Sequence, residues 1–178
     1  MKIYYDASAL TSGIREFIFL DTTTFISAIS HPQEFSKLFG TIRAAGIDFL
    51  TIPSVLFEFT RGSDSLERFN KRAKFLTDWA GIWPIDRYLD QLEEMIVVLQ
   101  KMGGNMSYTD FLLCVSLCKF PEAGFLTQNH KDIPIALFDR NHIITVDADK
   151  DIFTHVLFQV SRSKFNQASR KIIGKSVF

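Results

Sequence analysis

The sequence has no excess of either charge, very little cysteine and no long apolar run. Its 178 residues contain 20 Lys and Arg against 20 Asp and Glu, so the formal net charge is zero. Bulk charge alone would therefore not hold this chain to nucleic acid. Apolar residues make up 47% and charged residues 22%, which is typical of a folded domain and excludes a disordered chain. We expect one domain with a sizeable core.

The same absences indicate where the chain would work. Its longest apolar runs, such as residues 111–118, are far shorter than the ~18 residues that a membrane span needs. Asp6 interrupts the apolar residues near the N-terminus, so we expect no signal peptide. Cys114 and Cys118, the only cysteines, lie four residues apart without further soft ligands nearby. We expect both to be core residues of a protein in the reducing cytoplasm.

Strand-like apolar runs alternate with helix-like segments along the chain. Strands are predicted at 17–20, 48–52, 124–127 and 143–146, and helical spacing of apolar residues occurs in 33–45, 66–79, 89–99 and 107–119. Pro53 is placed to open one more helix. This alternation predicts an α/β sandwich with a mainly parallel sheet, in which ligands bind beyond the carboxyl ends of the strands.

The two ends of the chain differ from its middle. Residues 1–161 are predicted to form the domain, with residues 1–16 as an N-terminal extension that includes the strand-like run 2–5. Residues 162–178 are interpreted as a basic C-terminal tail, because residues 152–178 contain five Lys and Arg and no acid. Such a tail either remains solvated or contacts phosphates.

Acidic side chains follow the predicted strands or lie in the helices beside them. Asp21 directly follows the first strand, Glu58 lies in the helix after the second, and Asp110 lies near the start of a helix. Asn129 and Asp132 follow the strand at 124–127. Carboxylates gathered in one crevice raise each other's pKa unless a cation joins them, and Mg²⁺ prefers such oxygen ligands. The arrangement suggests a Mg²⁺ or Mn²⁺ site, although acids at loop starts also act as helix caps.

Four segments around these acids resemble, in order and approximate spacing, the four motifs of PIN-domain nucleases, and most closely those of VapC-type toxin ribonucleases. The segments are Ile18-Phe19-Leu20-Asp21-Thr22-Thr23, Glu58-Phe59-Thr60-Arg61-Gly62, Ser107-Tyr108-Thr109-Asp110-Phe111-Leu112 and Leu126-Thr127-Gln128-Asn129-His130-Lys131-Asp132. Successive acids are 37, 52 and 22 residues apart, and the resemblance covers roughly residues 16–148.

The resemblance implies a three-layer α/β/α sandwich and a Mg²⁺- or Mn²⁺-dependent endoribonuclease. It also implies RNA as substrate, commonly a homodimer, and an antitoxin-like protein as inhibitor. Carried over by position, the catalytic and metal-binding acids are Asp21, Glu58, Asp110 and Asp132. Thr23 would fix the carboxylate of Asp21, Asn129 would orient water or phosphate, and Arg61 would either meet a phosphate or remain solvated.

Three alternatives remain open at this point. Asn129 and Asp132 both suit the fourth acidic position, and we expect Asp132 to supply the charge. Asp6 imitates the first motif, but it would lie 52 residues before Glu58, so Asp21 is preferred. The rival function is a catalytically silent PIN-like module that binds RNA or protein, which would more often have lost one of the acids.

Overall fold

A computed structural model describes residues 13–148 and 151–178 of the chain. The predicted strand at 2–5 and the alternative acid Asp6 lie outside the described residues. The described part has an α/β fold with seven α-helices and one six-stranded sheet.

Strands alternate with helices as predicted up to the fourth strand, which is followed by two more strands before the last helix. The strands are β1 (Phe17–Leu20), β2 (Asp48–Thr51), β3 (Gly81–Ile82), β4 (Gly124–Thr127), β5 (Phe138–Ala148) and β6 (Asp151–Val160). The helices are α1 (Thr22–Ser30), α2 (Pro32–Ala44), α3 (Pro53–Thr60), α4 (Leu66–Trp79), α5 (Glu93–Met102), α6 (Tyr108–Lys119) and α7 (Arg162–Ile173).

The sheet is mixed, with a parallel centre. Its strand order is β3-β2-β1-β4-β6-β5. Strand β1 pairs in parallel with β2 and β4, and β2 pairs in parallel with β3. Strand β6 runs antiparallel to β4 and β5. The chain goes from β1 to β2 on one side and returns to β4 on the other, which makes the carboxyl ends of β1 and β4 a topological switch point, where ligands bind in open α/β sheets.

Buried strands and helix stripes form the core. Strands β1 and β4 are buried almost throughout, as continuous apolar runs in a covered parallel sheet should be. The prediction that both cysteines are core residues is confirmed, because Cys114 and Cys118 are free thiols buried on α6. Burial raises the pKa of both thiols, so they remain protonated.

The sequence reading missed several elements around these strands. The predicted strand at 143–146 is part of the longer β5, whose partner β6 was not foreseen. Helix α1 was also missed, although Asp21 caps its N-terminus. Its first turn consists of three threonines, which are poor helix formers and hide the apolar pattern.

Residues 162–178, interpreted as a tail, contain helix α7. Its side chain Phe165 is fully buried and contacts the ring of Phe178 at a centroid distance of 5.3 Å. The basic residues Arg162, Lys164 and Lys175 form ion pairs with Glu122, Asp139 and Glu94 respectively. The apolar face of the helix, which charge counting overlooks, is what packs this segment against the domain.

Across the part of the chain that the structure describes, none of the helices has both the length and the apolar character that a membrane span requires.

Candidate active site

Asp21 lies at the carboxyl end of β1 and caps helix α1. Its Oδ1 accepts a hydrogen bond from the backbone N–H of Thr24 at 2.8 Å. Its Oδ2 accepts hydroxyl hydrogens from Thr23 at 2.7 Å and from Thr127 at 2.6 Å. Thr127 ends β4, the strand beside β1, so the parallel pairing of these strands brings it to Asp21. The expected contact of Thr23 with Asp21 is therefore present, and a second threonine reinforces it.

Glu58 lies in helix α3, which follows β2. Two threonine hydroxyls hold its carboxylate: Thr22 donates to Oε2 at 2.8 Å, and Thr109 donates to Oε1. Thr22 directly follows Asp21 and Thr109 directly precedes Asp110. The two hydroxyls therefore connect Glu58 to the segments that carry the other two acids.

Asp110 lies in the first turn of helix α6, where the side chain of Ser107 caps the helix. The Ser107 hydroxyl accepts from the backbone N–H of Asp110 at 3.1 Å and donates to Oδ2 of the same residue at 2.9 Å. The amide of Asn129 donates to this Oδ2 at 3.1 Å. Asp110 thus contacts both its own helix cap and the loop after β4.

These acids line one cavity of about 330 Å³, which we call the acidic cavity. Six predicted site residues contribute to its wall: Asp21, Thr23, Glu58, Arg61, Asp110 and Asn129. The structure therefore brings together side chains whose positions span more than a hundred residues of sequence.

Asp132 is connected to the acidic cavity through Asn129. The Nδ2 group of Asn129 donates to Oδ2 of Asp132 at 2.8 Å and also to Asp110. Asn129 is in the wall of the acidic cavity, whereas Asp132 is exposed to solvent. Of the two candidates for the fourth motif position, the amide is thus the group that faces the other acids.

Burial and mutual repulsion control the protonation of the two buried acids. Burial raises the pKa of Asp21, although the surrounding hydrogen bonds oppose that shift. Burial also raises the pKa of Asp110, and the nearby charges of Asp21 and Asp132 raise it further. Within residues 13–148 and 151–178, none of the four predicted acids forms an ion pair with Lys, Arg or His. Their negative charge is stabilised by neutral donors.

The donor set suits a hard divalent cation that retains water. Among the described residues, no three His, Cys, Asp or Glu side chains are grouped closely enough to hold one ion directly. Mg²⁺ is commonly bound through only one or two carboxylates, with water filling its remaining positions. Asp21 and Asp110, which repel each other across the acidic cavity, are the pair that such an ion would stabilise.

Sequence reasoning missed most of the hydroxyl donors around the acids. Four of them hold a carboxylate here: Thr22, Ser107, Thr109 and Thr127. Only Ser107 had a local signal, because it lies three residues before the acid that it holds, whereas Thr22 and Thr109 hold Glu58 from 36 and 51 residues away. Thr127 offered no such signal, since it is 106 residues away from Asp21.

No family model matches the sequence, and the comparisons with curated proteins and with solved structures also found no match.

Proposed function

We propose that this protein is a Mg²⁺- or Mn²⁺-dependent endoribonuclease, built on a three-layer PIN-like sandwich, that hydrolyses phosphodiester bonds in RNA. One observation carries the proposal: Asp21, Glu58 and Asp110 come from distant parts of the chain and line one cavity without a cationic ion-pair partner among the described residues. A fully buried charged side chain is rarely left without a paired charge or a metal. The four resembling motifs supply the reaction class.

The chain's own residues would bind and orient the scissile phosphate. Asp21 and Asp110 would hold the divalent ion, which lowers the pKa of a bound water and so supplies hydroxide at neutral pH. Arg61 and Asn129 both line the acidic cavity. The Arg61 guanidinium can form a charge-assisted hydrogen bond with a phosphate oxygen, and the amide of Asn129 can orient a water molecule. Two threonine hydroxyls fix the Glu58 carboxylate, so it would face the ion in one defined orientation.

The resemblance also suggests the biological setting. A VapC-type ribonuclease would act in the cytoplasm as the toxin of a toxin–antitoxin pair, commonly as a homodimer. An antitoxin-like protein would inhibit it by covering the acidic cavity. We include these partners in the proposal on the basis of the four motifs.

The test is RNA cleavage by the purified full chain. Structured and single-stranded RNAs are incubated with Mn²⁺ or with EDTA, using the wild type and the D21N variant. We expect cleavage only by the wild type with Mn²⁺. The matched control is D86N, which neutralises an exposed acid outside the acidic cavity and should cleave normally. Cleavage that survives in EDTA or in D21N would contradict the proposal.

A second candidate function is a catalytically silent module that binds RNA. The observation that favours it is the lack of three metal-ligating side chains grouped around one point in the described part of the chain. Calorimetric titration with Mn²⁺ distinguishes the two functions, because the enzyme must bind the ion and should gain thermal stability from it by mass action. RNA binding without any Mn²⁺ binding would favour the silent module.

A further inference from the structure

A second cavity, of about 480 Å³, adjoins the acidic cavity. The two share Glu58, Arg61 and Thr109 in their walls. We call this second cavity the aromatic groove, and its remaining lining residues are Pro53, Ser54, Phe57 and Tyr108. A ligand that reaches the acids can therefore extend into the groove without leaving the surface of the protein.

One face of helix α3 and the start of α6 form the aromatic groove. Ser54, Phe57, Glu58 and Arg61 are spaced at i, i+3, i+4 and i+7, which places them along one side of α3 and its C-terminal cap. The opposite side of the helix packs into the core through Val55 and Phe59. The groove face is therefore the outward stripe of an otherwise buried helix.

Two aromatic side chains in the groove are open to solvent. Phe57 is 66% exposed and Tyr108 is 72% exposed. Phe57 has no polar group that could compensate for its contact with water. Because its ring is mostly outside the core, core packing does not explain why a Phe is present at this position. A third cavity, of about 430 Å³, shares Tyr108 with the aromatic groove and is also lined by Leu99 on α5 and by Met106 in the loop after α5. The exposed rings thus line a path that leads away from the acids.

We propose that the aromatic groove binds an unpaired base of the RNA substrate, which stacks on Phe57 or Tyr108 while the adjoining phosphate lies in the acidic cavity. This inference rests on the proposed function and adds that the substrate is single-stranded at the cleavage position. Aromatic side chains bind RNA by stacking on splayed bases, whose faces are hidden within a duplex.

Charge favours RNA as the occupant of the groove. Arg61 lies at the boundary between the two cavities, where a phosphate would pass from one to the other. Stacking surfaces next to a cation are the usual means of binding single strands. An apolar peptide would fill the aromatic groove but would leave Arg61 and the acids without a complementary partner.

The test measures RNA binding in EDTA, so that no metal-dependent cleavage can occur. A fluorescently labelled oligouridylate is titrated with the full chain, alone or annealed to its complement. We expect the single strand to bind more tightly than the duplex, and F57A and Y108A each to weaken single-strand binding about tenfold. F57W, which retains a stacking face, should restore the affinity. The control is I143A, which removes an equally exposed apolar side chain (68%) from strand β5.

A spectroscopic readout separates stacking from a merely structural effect. A strand that contains 2-aminopurine should lose fluorescence on binding to the wild type, and F57A should reduce that loss. Because Phe57 and Tyr108 are mostly exposed, the variants should melt at the wild-type temperature. Unchanged single-strand affinity in both F57A and Y108A would overturn the inference and would favour an apolar peptide as the occupant.

The test of base binding can succeed or fail independently of the test of RNA cleavage. If the wild type fails to cleave RNA but F57A weakens RNA binding, the proposed nuclease activity is wrong and base binding in the aromatic groove is supported. If the wild type cleaves RNA and both F57A and Y108A bind and cleave it normally, base binding in the aromatic groove is wrong and the proposed nuclease activity is supported.

Discussion

The hydroxyl of Thr127 donates a hydrogen bond to Oδ2 of Asp21 at 2.6 Å, across the junction of two neighbouring strands. The same hydroxyl oxygen accepts the backbone N–H of Asn129 at 2.8 Å. Thr127 therefore positions a buried carboxylate and the start of the loop that follows β4. Both contacts depend on the parallel register that pairs Leu20 with Leu126.

Replacing Thr127 with Val should destabilise the protein by about 1–3 kcal/mol, because it removes one of the three donors to a buried carboxylate and leaves the backbone N–H of Asn129 without its acceptor. T127S retains the hydroxyl and is the matched control. Urea denaturation at pH 7 measures the difference. Equal unfolding midpoints for the Val and Ser variants would show that this hydroxyl contributes nothing to stability.

Neutralising Asp110 should stabilise the metal-free protein at pH 7. The pKa of Asp110 is raised in the folded state, so the folded chain binds more protons than the unfolded chain above pH 3.8, and stability falls as the pH rises through that range. D110N removes this loss, so its advantage in melting temperature should be present at pH 7 and should vanish below pH 3.8.

RNA cleavage is then measured on the same variant. We expect D110N to be inactive although it is more stable than the wild type. The exposed D86N variant provides the control for removing one negative charge elsewhere. A D110N protein that melts well below the wild type at pH 7 would identify Asp110 as a structural acid.

The threonines around Glu58 should matter for activity. T109V removes the hydroxyl that donates to Oε1, and we expect about a 10- to 100-fold loss of cleavage, as is typical when a residue that orients a metal-site carboxylate is lost. T109S should retain most of the activity. Measuring kcat and KM separately tests the role, since a positioning residue should lower kcat while RNA affinity in EDTA stays unchanged.

A buried histidine should make the fold sensitive to acid. His155, on β6, is fully buried, and burial lowers its pKa from 6.5 to about 4. The unfolded chain binds this proton more readily, so the stabilising contribution is complete above pH 6.5 and is lost as the pH falls toward 4. The loss should approach about 3 kcal/mol, since each pKa unit corresponds to about 1.4 kcal/mol.

The H155F variant should remove most of that pH dependence, because Phe preserves an apolar ring beside Phe35. Denaturant unfolding of the variant and the wild type from pH 7 to pH 4 measures the effect. H142F, on the neighbouring strand β5, is the control and should retain the wild-type slope.

The sequence predicted three of the four parallel strands, β1, β2 and β4, and the residues at their carboxyl ends, but it did not predict the two-residue strand β3. Apolar runs such as Phe17–Leu20 have a strong local pattern, and strand topology then requires that Asp21 and the loop after β4 lie close together. What the sequence could not predict was the set of contacts made after folding. The pairing of Thr127 with Asp21 follows from strand register, which depends on the whole sheet.

The hairpin of β5 and β6 was missed for a related reason. Its strands run antiparallel to the parallel centre, and β6 falls in a stretch that we interpreted mainly by its charge. Helix α7 was missed for the same reason. Three basic residues in or just after this helix, Arg162, Lys164 and Lys175, form ion pairs with acids that are distant in sequence. Charge counted along a chain does not show which charges are neutralised in the fold.

The neutral donors around the acids affect how readily the site can bind a cation. A carboxylate bound to lysine or arginine must give up that partner before it can accept another cation. Asp21 and Glu58 are oriented by threonine hydroxyls, which hold their geometry without cancelling their charge. An arriving ion would therefore meet carboxylates that are already oriented and that form no ion pair within the described residues.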